Sequence, residues 1–157
     1  MKLVEINADG TLSGGARPLH DAAREAVAST MELYSRVGWS RPWIGYLALE
    51  DEAWVGTCAF THAPRDGVVE IAYFTFPGHE GRGVATRMAE RLMSIATGHA
   101  PEVAVTAHTM PAESASTRIL RKVGFALVGP TTHAVDGPIW VWRFSGSGKP
   151  GQQGAAP

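Results

Sequence analysis

The chain has 157 residues, 45% of them hydrophobic and 18% charged, with a formal net charge of −1, the size and apolar content of one globular domain. No cluster of Lys or Arg reaches the density of a nucleic-acid footprint or a polybasic membrane patch, and no apolar run is long enough to span a bilayer. The opening stretch Met1-Lys2-Leu3-Val4-Glu5-Ile6 carries charges and lacks the apolar region of a signal peptide, so the expectation is a soluble cytoplasmic protein with a small-molecule or protein substrate.

In chain order, residues 3–6 read as a first strand, and a glycine-rich loop leads to a helix beginning near Pro18. That helix carries Leu19, Ala22, Ala23, Ala26, Val27, Met31 and Tyr34 on one face. Apolar runs 43–49 and 53–60, followed by 68–76, read as an antiparallel meander. The last of these is apolar on both faces apart from Glu70 and Thr75, as a strand covered on both sides would be. Cys58, the single cysteine, falls in an apolar run and reads as a small buried hydrophobe.

Past Pro77-Gly78, a turn Glu80-Gly81-Arg82-Gly83-Val84-Ala85 opens a helix with Met88, Ala89, Leu92 and Ala96 on its stripe, and residues 103–106 form the next strand. Strand, turn, helix and strand in this order make a right-handed crossover between parallel strands. A short helix from Glu113 or Ser114 to Val123 ends at Gly124, placed for a left-handed cap. Residues 125–128 and 139–144 close the sheet. One domain over 1–144 is expected, with a flexible Gly/Ser/Gln/Pro tail over 145–157.

The chemistry concentrates at the glycine turn. Gly81, Gly83 and Ala85 leave backbone amides open, and the helix behind them aims unsatisfied N–H groups and the positive end of its dipole at the same point, which suits a pyrophosphate. A tight turn entering a helix needs the same glycines, so the loop alone is a weak signal. A Walker loop is excluded because no lysine follows Gly83, and a dinucleotide fingerprint because Thr86 replaces the third small residue and Glu102 begins the next strand.

Together, strand 68–76, the loop Glu80 to Thr86, and the segment Pro111 to Phe125 with its Gly124-Phe125 pair resemble the GNAT acyltransferase superfamily, in motif style closest to the ribosomal-protein N-acetyltransferase-like branch. The resemblance implies an α+β fold, α/β in three layers: a mixed, mostly antiparallel sheet of six to seven strands, flanked by helices and splayed at the parallel pair 68–76 and 103–106. It implies an N-acetyltransferase moving an acetyl group from acetyl-CoA to a primary amine, a peptide N-terminus or a small molecule, by direct attack and without a metal. It leaves room for a homodimer.

The cofactor-binding residues so implied are Tyr73, Phe74 and Thr75 on the strand, Gly81, Arg82, Gly83, Val84, Ala85 and Thr86 in the loop, and Glu113 and Ser116 in the second motif. Glu70 on the central strand and His108 near the next one are the candidate bases, each with an alternative role as a structural ion-pair or hydrogen-bonding residue. Three positions depart from the family pattern: Glu80 where Gln or Arg is usual, Glu113 where Asn is usual, and Leu120 where a tyrosine general acid is usual. Ser116 or water, with Tyr73 as a weaker substitute, remains to protonate the leaving thiolate. These departures keep a second reading open, a degenerate domain that binds CoA as a sensor or interaction module. The tryptophans and Tyr46 read mostly as core; any part lining an acceptor cleft would have Glu32, Glu50 or Asp51 at its mouth.

Overall fold

The computed structural model describes residues 1–145; the rest of the expected tail lies outside the described residues. Ten elements follow in order: β1 (Lys2–Glu5), α1 (Asp21–Val37), β2 (Gly45–Glu50), β3 (Ala53–Phe60), β4 (Val68–Thr75), α2 (Val84–His99), β5 (Ala104–Thr109), α3 (Ala115–Val123), β6 (Phe125–His133) and β7 (Gly137–Phe144). The strands form one sheet in the order β1-β2-β3-β4-β5-β7-β6, antiparallel throughout except where β4 runs parallel to β5. This is the α+β arrangement expected. Among the described residues no helix is long and apolar enough to cross a membrane.

The two faces of the sheet are covered by different helices. α1 lies so close to β2 that a Cβ added to Gly45 would come within 2.6 Å of Thr30 Cγ2, and the Tyr34 hydroxyl donates to the Ile6 carbonyl (2.8 Å) while accepting the Gly45 amide (2.9 Å). On the opposite face α2 presses Met88 onto Gly56, where a Cβ would meet Met88 Cε at 2.8 Å. α3 shares that face, with the Arg121 guanidinium 5.0 Å from the centre of the Trp142 ring. Trp142, Phe60, Ile71, Met88 and Leu92 are wholly buried between these layers, each worth about 1.5–3 kcal/mol of apolar burial for the aliphatic and phenyl side chains.

Several boundaries differ from the sequence expectation. α1 begins at Asp21, not near Pro18, because His20 caps it: His20 Nδ1 accepts the Ala23 amide, and Nε2 lies 3.1 Å from the Trp54 carbonyl. β5 runs on to Thr109, which puts His108 inside the strand, because β7 pairs with it from Thr106 to Thr109. β6 continues through Gly129 and Pro130 to His133, since an edge strand tolerates both a bulge and a residue lacking its N–H. β4 is covered on both faces only at its start: Val69 and Ile71 are buried, but Ala72 is exposed and Phe74 is 58% exposed.

Candidate active site

The uncovered end of β4 is where the sheet opens. β4 and β5 stay in register from Val68 opposite Ala104 to Ile71 opposite Ala107. Beyond that, Ala72 to Thr75 pair with β3 on one side only, while the end of β5 is held by β7. The wedge exposes peptide groups of β4 along an unpaired edge, ready for a ligand with amide groups of its own.

The glycine turn stands at the mouth of this wedge. Gly81 and Gly83 both take φ +74°, the left-handed region that a side chain disfavours, and Gly83 is the N-cap of α2 with no side chain satisfying the first-turn amides. Those amides and the helix dipole present partial positive charge of the kind that suits an anion. The Glu80 carboxylate folds back to accept the Gly78 amide at 2.8 Å; hydrogen bonds from the backbone hold its carboxyl below the usual carboxylate range. Arg87 braces the turn from behind. Its Nε and Nη2 donate to the two Glu50 carboxylate oxygens (2.6 and 2.8 Å), and Nη1 donates to the Arg82 carbonyl (2.9 Å).

A cavity of about 490 Å³ joins the turn to the end of β4 and the start of α3. Of the residues expected to bind a cofactor, Tyr73, Phe74, Thr75, Gly81, Gly83, Val84, Ala85, Thr86 and Ser116 line it. Arg82 and Glu113 stand outside the lining. Glu113 instead receives Arg121 through both oxygens (2.6 and 2.8 Å) and the Thr117 hydroxyl (2.9 Å), which pull its carboxyl down to about 2 and tie the start of α3 to its last turn. His79, Arg118 and Lys122 complete the charged lining and are absent from the sequence-based set. Arg118 and Lys122 lie one helical turn apart on α3, a basic pair whose spacing is a readable signal.

The two candidate bases meet. Glu70 and His108 share a face of the sheet, because Glu70 is opposite Thr106 and side chains alternate along a strand. His108 Nδ1 lies 3.4 Å from Glu70 Oε1, with 30% and 25% of the side chains exposed. The His133 ring, from the β6–β7 hairpin, is 6.3 Å from that of His108. Burial pushes Tyr73 up to about 12, so its phenol keeps its proton and is a poor acid toward a thiolate, whose thiol titrates near ~8.5. Leu120, at 1% exposure, packs in the core. Cys58 is buried and its thiol is pushed up, as a packing residue requires.

A second cavity, of about 470 Å³, lies between α1 and the open end of β4 and shares Tyr73 and Phe74 with the first. The tryptophans and Tyr46 of the N-terminal half are mostly core, as the sequence suggests, and do not line this cavity. Trp43, Tyr46 and Trp54 are core residues, Glu50 is the partner of Arg87, Glu32 pairs with Arg36 along α1, and Asp51 sits in the β2–β3 turn at φ +47°.

The family model of the acetyltransferase (GNAT) domain matches residues 3–126. The chain belongs to the GNAT acetyltransferase family. Solved structures share this GNAT fold at low identity. The RimL ribosomal L7/L12 alpha-N-protein acetyltransferase in complex with coenzyme A is 17% identical, with 80% of this chain and 72% of that chain covered and a TM-score of 0.60. Aminoglycoside acetyltransferase AAC(6')-Ib in complex with coenzyme A and kanamycin is 20% identical, with 78% of each chain covered and a TM-score of 0.62. A point mutant of spermidine N-acetyltransferase SpeG from Vibrio cholerae is 12% identical, with 75% of this chain and 74% of that chain covered and a TM-score of 0.60. No curated protein matches the chain.

Proposed function

We propose that this GNAT domain is an N-acetyltransferase that moves an acetyl group from acetyl-CoA to a primary amine by direct attack in a ternary complex. The observation that carries the reading is the meeting of two cavities at Tyr73 and Phe74, one ending in an anion-binding turn, with the Glu70–His108 pair further down the same strands. The donor cavity fits CoA by its donor set: open amides at Gly81 to Thr86 and the cations Arg118 and Lys122 for phosphates, and the free edge of β4 at Tyr73 to Thr75 for the pantetheine amides. Acetyl-CoA supplies the activated thioester.

The protein's part is to place the amine and remove its proton, since an ammonium has no lone pair with which to attack. His108, with Nδ1 turned to Glu70, takes that proton directly or through water, and Glu70 orients the ring and stabilises the charge it acquires. The new bond joins the amine nitrogen to the acetyl carbon while the carbon–sulfur bond breaks, and the nitrogen releases its second proton to solvent. The thiolate is a good leaving group and takes its proton from solvent, with the Ser116 hydroxyl in the same cavity as a hydrogen-bond donor.

Thiol release from acetyl-CoA across a panel of amines and peptide N-termini tests the reading, with Glu70→Gln and His108→Ala beside the parent. The expected result is a fall in kcat of at least tenfold in His108→Ala with CoA affinity unchanged; equal rates in both variants would remove this pair from the mechanism. One observation favours a second reading, a CoA-binding sensor: Leu120, where the family places a tyrosine, is buried in the core. Tight CoA binding with no thiol release from any amine would establish it.

A further inference from the structure

The cavity between α1 and β4 says what kind of amine the domain takes, an inference that rests on the acetyl-transfer reading. Its position makes it the acceptor side. Ala72 and Phe74, which line it, share the face of β4 that carries Glu70, so the groove leads down the strand toward the Glu70–His108 pair. Through Tyr73 and Phe74 it adjoins the donor cavity.

Its chemistry is one-sided. Ala22, Ala26 and Leu33 of α1 face Phe74, Phe76 and Pro77 across it, and Glu25 is the one charged side chain in the lining. The neighbouring charges of α1 are spoken for: Asp21 pairs with Arg24, and Glu32 with Arg36. Further along β4, outside the lining, Glu70 is engaged with His108. The surface therefore offers a single carboxylate, on an exposed turn of helix, to draw in a cation. A further ammonium group on the same molecule would lose its water beside alanine, leucine and phenylalanine with no second carboxylate in the lining to replace it. The cavity volume, about 470 Å³, is that of a site for a small molecule.

We infer that the acceptor is a primary amine with one positive charge and an apolar body of that size, either a free amine or the first residues of a peptide, and that polycations are rejected. This sets the domain apart in substrate class from relatives whose names specify spermidine or an aminoglycoside.

Calorimetry in the presence of CoA, with 2-phenylethylamine, a leucyl-glycine amide and spermidine as probes, tests this without requiring turnover. Binding of one or both apolar monoamines at least tenfold tighter than spermidine is expected. Ser29→Phe, which fills the groove from an exposed position of α1, should weaken the bound monoamine at least tenfold, and Glu25→Gln about threefold or more, both with unchanged CoA affinity as the check on folding. The tighter of the two monoamines identifies the source, a peptide terminus or a free amine. Spermidine binding as tightly as the monoamines, no monoamine binding, or monoamine binding indifferent to both substitutions would overturn the inference. Should the monoamine bind as described but release no thiol from acetyl-CoA, the groove stands and the acetyl-transfer reading falls.

Discussion

Arg87→Ala offers a direct test of how the glycine turn, the proposed phosphate site, is held. Arg87 is outside the lining of the donor cavity, so any effect on CoA binding passes through the turn. The substitution removes a bidentate pair whose side chains are 40% and 19% exposed, worth at most about 1 kcal/mol after solvent screening. It also removes the bond to the Arg82 carbonyl, worth about 1 kcal/mol. A loss of about 1–2 kcal/mol lowers Tm by roughly 2–8 °C in a domain of this size. The turn, freed between two left-handed glycines, must then be ordered when the cofactor binds. Fixing even one residue costs about 1–2 kcal/mol, so CoA affinity should fall about five- to thirtyfold. Calorimetry with CoA and thermal unfolding read the two effects separately, and Arg87→Lys, which keeps the charge but loses the fork, should recover little of the affinity. A lowered Tm with unchanged CoA affinity would refute the idea that this brace shapes the site.

The remaining predictions concern the same turn and the ionisable groups. Gly83→Val puts a branched side chain at φ +74°, with its Cβ 2.9 Å from Arg87 Nη1, and should weaken CoA by more than tenfold, about 1.4 kcal/mol; equal affinity would count against the cradle. All three tyrosines of the chain are raised by burial, Tyr34 and Tyr73 to about 12 and Tyr46 further. Spectrophotometric titration should therefore show almost no phenolate at pH 10, and stability should be lost as pH rises from about 10 through 12, because the unfolded chain ionises first. Glu113, held near 2 by Arg121 and Thr117, stabilises the fold above its unfolded value of 4.5, an effect lost as pH falls from 4.5 toward 2. In Glu113→Gln the decline of Tm across that window should be shallower, and the difference should shrink in high salt.

Where pattern and local chemistry agree, the fold is readable without coordinates. The turn at Glu80 to Ala85, the crossover around it and the Gly124 cap are all written in residues a few positions apart. What escapes depends on distant contacts. Nothing along the sequence links Arg87, in the first turn of α2, to Glu50 on β2; only the fold brings them together. Glu70 and His108 can each be named as a candidate, but their contact follows from the parallel register that sets Glu70 against Thr106. The tryptophans read mostly as core, with room for a cleft because aromatic side chains favour both. In this chain the core claims most of them, and the groove is lined by α1 residues whose apolar stripe reads as packing alone. The sixth strand reads as ending at residue 128 but continues to His133, since at a sheet edge the missing N–H of Pro130 is tolerated.

The unpaired end of β4 also bears on how the protein behaves when cofactor is scarce. Ala72 to Thr75 offer one free row of backbone donors and acceptors beside an exposed Phe74, in the middle of a sheet and not at its rim. Such a row is a template on which another extended chain can dock, the usual first step of strand-to-strand aggregation. A ligand that occupies it acts as a removable guard strand, and the folded state gains stability with the logarithm of its concentration. With coenzyme along β4 as proposed, the shelf life and solubility of this protein should track its supply, independently of whether any acetyl group is transferred.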